Sequence, residues 1–191
     1  MAGGAGGRPS TSVLAQFLAL ALVWGSSFLF IKIALEGLSP GQVVLGRLGV
    51  GALALVLLMV VLRHPPPRDP VVWGHLAVVG VLLCVAPFLL FAWAEEHISS
   101  GLASIYNATT PLMTSVVALA ALREEQLTRA RTVGLLTGFA GVLVVFGPWQ
   151  GLDGGATLAQ AACLAATASY GVAFVYLRRY VSPPAGCTPF P

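Results

Sequence analysis

Two cations, Lys32 and Arg47, interrupt long apolar stretches of this sequence of 191 residues. A charge inside a membrane span costs at least ~2.5 kcal/mol at the centre of a helix, so it indicates a functional site by default. Lys32 lies about one turn from the end of its apolar run, and Arg47 about one and a half turns from the start of the next. For Lys32 we favour snorkelling of the ammonium to the membrane interface. For Arg47, snorkelling stands beside a second interpretation, in which the guanidinium faces a cavity and orients an anionic group.

Polar side chains cluster around a proline further along the chain. Tyr106, Asn107 and Thr110 precede Pro111, whose missing N–H breaks the hydrogen-bond ladder of a helix. The uncovered carbonyls of such a kinked segment can bind substrate, or the segment can act as a hinge. Alternatively, Thr and Asn side chains bond neighbouring helices, each bond being worth about 1 kcal/mol.

A third polar group, Ser26 and Ser27, follows an aromatic residue in the first apolar run. Either the two serines pack against another helix, or they line a substrate cavity that has Trp24 as a wall. We therefore predict the following substrate-pathway residues: Trp24, Ser26, Ser27, Lys32, Arg47, Tyr106, Asn107, Thr110 and Pro111.

Catalysis and metal binding are not indicated. Ser99 and Ser100 supply hydroxyls, but no His or Lys lies at a comparable depth on another span to activate them, so we predict that the chain is not an enzyme. The three cysteines form no CxxC pair and no His stands at ligand spacing, which predicts no metal and no cofactor. Carboxylates such as Glu95 and Glu96 can couple transport to protons when they line a pathway, but we interpret this pair as solvated at an interface. No ATP-binding loop is present.

The composition explains why these polar residues matter. Hydrophobic residues make up 57% of the chain and charged residues 9%, with a mean hydropathy of +0.88. A soluble domain carries about 25% charged residues. The net charge of +3 is spread between apolar runs, which argues against a nucleic-acid partner. The chain is therefore predicted to be an integral membrane protein whose main surroundings are the lipid bilayer.

Six apolar runs approach the roughly 20 residues that a helix needs to cross a bilayer, which predicts an all-α protein with six transmembrane helices. Eight of the ten Lys and Arg residues fall in segments on one side of these runs, so the positive-inside rule places both termini in the cytoplasm. The runs cover residues 13–35, 42–62, 71–93, 101–122, 132–146 and 156–180.

The first and sixth runs share a pattern at an offset of 146 residues, pairing Trp24 with Tyr170, Gly25 with Gly171, Phe28 with Phe174 and Lys32 with Arg178. Five spans separate the two copies, and an odd number makes the second copy enter the membrane from the opposite face. The sequence therefore predicts an inverted repeat, which in transporters places a substrate site between the halves.

Several short motifs occur here in one order and spacing, and together they resemble the EamA-type permeases of the drug/metabolite transporter superfamily. The resemblance implies a ten-helix bundle of two inverted five-helix repeats, which moves a small metabolite across the bacterial cytoplasmic (cell) membrane by alternating access. The motifs are Val23-Trp24-Gly25-Ser26-Ser27-Phe28, Leu38-Ser39-Pro40, Gly46-Arg47-Leu48, Thr110-Pro111-Leu112, Glu125-Gln126-Leu127-Thr128, and the glycines Gly134, Gly138 and Gly141.

With this resemblance the chain divides into a cytoplasmic tail (1–12), a first five-helix repeat (13–149), the first helix of the second repeat (150–181) and an irregular tail (182–191). We interpret it as the N-terminal fragment of a ten-helix permease. The alternative is a half-size, non-catalytic membrane subunit that functions as a homodimer or with a partner chain.

Overall fold

The computed structural model describes residues 11–122, 128–146 and 154–181, and these residues form helices and short connections without a strand. The apolar runs form helices because a helix satisfies its backbone hydrogen bonds within the segment, as hydrocarbon requires. The predicted all-α class is confirmed for this part of the chain. The α-helices are α1 (Thr11–Ala34), α2 (Pro40–Val61), α3 (Pro70–Gly80), α4 (Ala86–Glu95), α5 (Ser100–Asn107), α6 (Thr110–Ala121), α7 (Arg129–Phe146) and α8 (Gly154–Tyr176).

Within the described ranges, four continuous helical segments are long and apolar enough to cross a membrane: Thr11–Ala34, Pro40–Val61, Pro70–Glu95 and Gly155–Val181. A shorter apolar stretch, Thr132–Val144, lies within α7. These five segments correspond to predicted runs one, two, three, six and five. The fourth run is divided between α5 and α6.

Side-chain caps fix where three of the helices begin. Ser39 accepts a hydrogen bond from the backbone N–H of Gln42, and the Gln42 side chain accepts one from the backbone N–H of Ser39, which together form a capping box. Asp69 accepts a bond from the N–H of Val71, and Ser99 accepts one from the N–H of Leu102. The connections between the first spans are therefore short and ordered by local sequence.

A π-helical turn, Val81–Val85, joins α3 to α4 without ending the span. The next turn contains Pro87, which has no N–H to donate, and the wider turn accommodates this loss. From α8, the Ser169 hydroxyl donates to the carbonyl of Leu82 at 2.7 Å. The irregular backbone is thus satisfied by a neighbouring helix.

The core lies along α8, which packs against α4, α5 and α6. The remaining helices lie around this centre, with α1 packed on α4 and α5, α2 on α4, and α7 on α6. The helix predicted to open a second repeat is therefore the central helix of the part that the structure describes. Its buried core positions are mostly small: Ala159, Ala162, Cys163, Ala166 and Ala173.

Close approach of α8 to α6 requires a glycine. A Cβ on Gly171 would lie 3.1 Å from the carbonyl oxygen of Met113 and from the Cα of Thr114. On α7, a Cβ on Gly138 would lie 3.0 Å from Leu112, whereas one on Gly134 would meet nothing within 4 Å. Gly171 of α8 therefore meets the backbone of its neighbour, which cannot give way, whereas Gly138 of α7 meets only a side chain.

Some of the sequence predictions fall on residues outside the described ranges. These are most of the tail 1–12, the tail 182–191, part of the motif at Glu125, and most of the connection between the fifth and sixth runs.

Candidate functional site

A cavity of 440 Å³ opens between α1 and α2. Its lining includes three of the predicted pathway residues, Ser26, Ser27 and Arg47, which lie on two different helices. The complete lining is Val23, Ser26, Ser27, Phe30, Ile31, Val43 and Arg47.

Arg47 is the cation of this cavity. Its guanidinium carbon lies 4.2 Å from the ring centroid of Phe88 on α4, a cation–π contact that holds one face of the group. The N–H donors lie in the guanidinium plane, so such a contact does not consume them. Because the capping box at Ser39 sets the start of α2, it also sets the height at which Arg47 enters the cavity.

The serine hydroxyls contribute a different chemistry. Ser26 donates its hydroxyl proton to the carbonyl of Val23 at 3.1 Å, which leaves the oxygen able to accept a bond from a ligand. The cavity therefore combines a cationic donor with a hydroxyl acceptor on an otherwise apolar wall. The predicted wall residue Trp24 is 70% exposed and does not line the cavity.

Lys32 lies outside the lining of this cavity. Its ammonium donates to the backbone carbonyls of Glu95 and Ile98, and the bond to Ile98 measures 3.1 Å. A cation at the C-terminal end of a helix is favourable because it meets unpaired carbonyls and the negative end of the helix dipole. Lys32 therefore connects α1 to the end of α4, and the structure gives it a capping role.

Glu95 departs from the sequence interpretation. Its side chain is 0% exposed, and neither carboxyl oxygen has a hydrogen-bond partner among the residues that the structure describes. The expectation of a solvated group is wrong for Glu95, whereas Glu96 is exposed. The signal that indicates this burial is helical spacing, since Glu95 stands four residues after Phe91 and three before Ile98, both of them buried.

The predicted interruption at Pro111 is present, between the end of α5 at Asn107 and the start of α6 at Thr110. The carbonyls near it are covered, because Thr109 donates to Tyr106 and Thr110 donates to Asn107, each at 2.7 Å. This arrangement favours a packing role for the threonines over carbonyls that are open to substrate.

Tyr106 lies apart from the cavity between α1 and α2. It is fully buried and donates its hydroxyl to the side-chain carbonyl of Gln160 on α8 at 3.1 Å. It also lines a second cavity, of 280 Å³, between α5–α6 and α7. Asn107, Thr110 and Pro111 are absent from both linings, so the predicted pathway residues divide between separate places.

Comparison with known proteins gives a consistent result. The sequence profile of the EamA-like transporter family matches residues 11–147. The Uncharacterized transporter YoaV of Bacillus subtilis (strain 168) is 23% identical over 86% of this chain and 56% of its own length. The Probable terminal-alkyne amino-acid exporter of Streptantibioticus cattleyicolor is 30% identical over 65% of this chain and 41% of its own length.

The Uncharacterized inner membrane transporter YedA of Escherichia coli (strain K12) is 29% identical over 72% of this chain and 44% of its own length. The chain thus spans about half the length of the curated relatives that it matches. No solved structure gives a significant match.

Proposed function

Because the chain belongs to the EamA-like transporter family, we propose that it takes part in moving a small metabolite across the bacterial cytoplasmic membrane by alternating access. The observation that carries this proposal is the cavity between α1 and α2, where Arg47, Ser26 and Ser27 converge. Its 440 Å³ falls within the range of ~300–1,000 Å³ that is usual for small-molecule sites.

The substrate that suits this cavity carries an anionic group and a hydrogen-bond donor. The Arg47 guanidinium binds a carboxylate or phosphate through two parallel N–H bonds. The Ser26 oxygen, whose proton is directed to Val23, accepts a bond from an ammonium or hydroxyl group. One relative carries the name of an amino-acid exporter, and an amino acid has both groups. We therefore place amino acids first among the substrates to test.

The orientation that we propose has six spans with both termini in the cytoplasm. Residues 13–149 form the first repeat and residues 150–181 the first helix of an inverted second repeat. The excess of Lys and Arg in the segments on one side supports this orientation. Attaching a membrane-impermeant thiol reagent to single cysteines placed at Arg68 and at Glu36 tests it. We expect labelling of intact cells at position 36 and not at position 68.

We propose that the working transporter contains more helices than these, supplied either by further sequence or by a second chain. The apolar side chains of α1 and α2 that are exposed in the isolated chain are a surface for such helices. Cross-linking and mass measurement in detergent distinguish the sources. A stable homodimer that protects α5, α6 and α7 from proteolysis favours a half-size subunit. An unstable monomer favours one part of a ten-helix permease.

Transport itself is tested by counterflow of radiolabelled amino acids, nucleosides and cationic drugs into proteoliposomes that hold the assembled transporter with its additional helices. We expect Arg47→Gln to lower amino-acid flux by about tenfold or more, equivalent to about 1.4 kcal/mol of lost interaction. Arg47→Lys retains the charge but not the bidentate geometry, so its flux should lie between that of the wild type and that of Arg47→Gln. Arg68→Gln removes an exposed cation from a connection and serves as the control. Equal flux in all three variants, with equal folding, would contradict the site.

A further inference from the structure

Glu95 is the one fully buried acid in the described part of the chain. It ends α4, and its neighbours Phe91 and Ala94 belong to the same core cluster as Tyr106 and Cys163. The side chain is 0% exposed, and the helix that carries it packs against α1, α2, α5 and α8.

The groups that could neutralise this carboxyl are directed elsewhere. Two helices that pack on α4 each carry a cation, Lys32 on α1 and Arg47 on α2. The Lys32 ammonium donates to two backbone carbonyls, and the Arg47 guanidinium lies over Phe88.

The titratable groups on the remaining neighbours leave the carboxyl unbonded too. Tyr106 of α5 donates to Gln160, and Cys163 of α8 is a free thiol buried in the core. No described residue thus donates a hydrogen bond to either oxygen of Glu95.

An ionised carboxylate in such a place would lack the partners that buried charges require, so the enclosed geometry suits the neutral acid. The cations on α1 and α2 suit the anion instead, once water reaches the group. The same carboxyl thus has an environment for each of its two protonation states, and a modest movement of α1 and α2 would exchange one for the other.

We propose that Glu95 is a proton-binding site of the transport cycle. It holds a proton while the bundle is closed around it. When α1 and α2 admit water, the O–H bond breaks, the proton passes to water and the electron pair stays on the carboxylate, next to Lys32 and Arg47. This inference rests on the proposed transport function and names its coupling ion.

The chemistry of the site favours a proton over a metal cation. A hard cation takes several oxygen ligands at once, and the carbonyls of Glu95 and Ile98 already accept from Lys32. In the described ranges, no group of three or more metal-ligating side chains converges. A single buried carboxyl needs no further ligand to bind a proton.

The neighbouring residue provides a matched control, because Glu96 is exposed while Glu95 is buried. N,N′-dicyclohexylcarbodiimide is an apolar reagent that modifies protonated carboxyl groups. We would treat the full chain in liposomes with it between about pH 5 and about pH 9, where a water-exposed carboxyl of ordinary acidity is ionised. Fragment mass spectrometry then locates the label. We expect at least about tenfold more label on Glu95 than on Glu96, decreasing as the pH rises.

The variants separate this site from general reactivity. E95Q should remove the label, and E96Q should leave it unchanged. If E95Q does not fold, the ratio of the two glutamates in the wild-type chain still decides the question. Equal label on both, or label on Glu95 that does not change with pH, would overturn the proposal.

Flux measurements keep the two proposals apart. Labelling requires no substrate, so labelled Glu95 in an assembled transporter that shows no flux contradicts the proposed function and supports proton binding at this residue. Amino-acid flux without label on Glu95 supports the proposed function and contradicts proton binding at this residue. Where flux is found, E95Q should lose its response to an imposed pH gradient and E96Q should keep it. Flux through E95Q that still follows the gradient would overturn the role in transport.

Discussion

Helices α1 and α8 carry the same pattern at an offset of 146 residues, yet they occupy opposite environments. In the most apolar window of each segment, 6% of the residues of Thr11–Ala34 are buried, against 44% for Gly155–Val181. The paired aromatic residues differ in the same way, since Trp24 is 70% exposed whereas Tyr170 packs against Phe91. A shared pattern thus gives a shared helix, and the neighbouring helices determine what that helix buries.

The size of the side chains explains the difference. At equivalent positions of the repeat, α8 has Cys163 and Ala166, which are fully buried, where α1 has Phe17 and Leu20, which are 65% and 57% exposed. Small residues let helix backbones approach and gain packing contacts, whereas large apolar residues are as well placed against lipid as against protein. The departures from the repeat are therefore as informative as the repeat itself.

The largest effect is expected from filling the glycine position in each helix. Gly171→Leu places a side chain against the backbone of α6 and should destabilise the fold by about 3 kcal/mol, the upper part of the range for overpacking. Gly25→Leu meets open space and gains up to ~1 kcal/mol in helix propensity. Thermal unfolding of the full chain in detergent measures both. Equal melting temperatures for the two variants would remove the distinction between the helices.

A smaller effect is expected from the paired aromatic residues. Tyr170→Ala should cost roughly 2 kcal/mol, less than the ~3–5 kcal/mol of a fully buried aromatic residue, because Tyr170 is only partly buried. Trp24→Ala, at the equivalent position of α1, should change the stability of the isolated chain by less than about 0.5 kcal/mol, as at an exposed site. A larger loss of stability for Trp24→Ala than for Tyr170→Ala would show that α1 packs against protein in detergent.

The smallest effect concerns a polar contact of α8. Thr167 is fully buried, its hydroxyl donates to the carbonyl of Leu164 at 2.9 Å, and its oxygen lies 3.4 Å from the hydroxyl of Thr109. Thr167→Val keeps the shape and removes this polar contact with α5–α6, so it should cost about 0.6 kcal/mol, the average for polar contacts between membrane helices. Thr137→Val on α7 removes a hydroxyl that bonds only within its own helix, and it is the control in the same unfolding assay. If Thr167→Val cost more stability than Tyr170→Ala, this would indicate that Thr167 belongs to a larger hydrogen-bond network.

The candidate site was partly predictable from sequence. Arg47 and the two serines stood out because polar groups are rare in apolar runs, and the structure brings them to one cavity. The solvated position predicted for Glu95 is wrong, because a pair of glutamates at the end of an apolar run has the pattern of an interface whether or not one of them is buried. Which of the two points inward depends on the helical phase relative to Phe91 and Ile98, and on the helices that cover that face.

The break in the fourth run shows the same division. A proline within a helix lacks the N–H that the hydrogen-bond ladder requires, so Pro111 predicts the interruption from sequence alone. Whether the freed carbonyls are open to a ligand depends on side chains nearby. Thr109 and Thr110 cover them, and the Thr109 hydroxyl also lies 3.4 Å from the hydroxyl of Thr167 on α8.

Composition and local sequence account for the class of protein, the length of its spans, their capped beginnings and the choice of pathway residues to test. These properties depend on composition and on contacts between residues close together in the chain. In hydrocarbon a helix must satisfy its backbone hydrogen bonds within its own segment, so such local contacts decide where it forms. The tertiary structure decided that α8 is central, that Gly171 must be a glycine and that the Glu95 carboxyl is enclosed. Those properties come from helices that are distant in sequence, and the apolar pattern of a membrane helix does not encode which neighbour covers which face, because lipid and protein are nearly equivalent surroundings for apolar side chains.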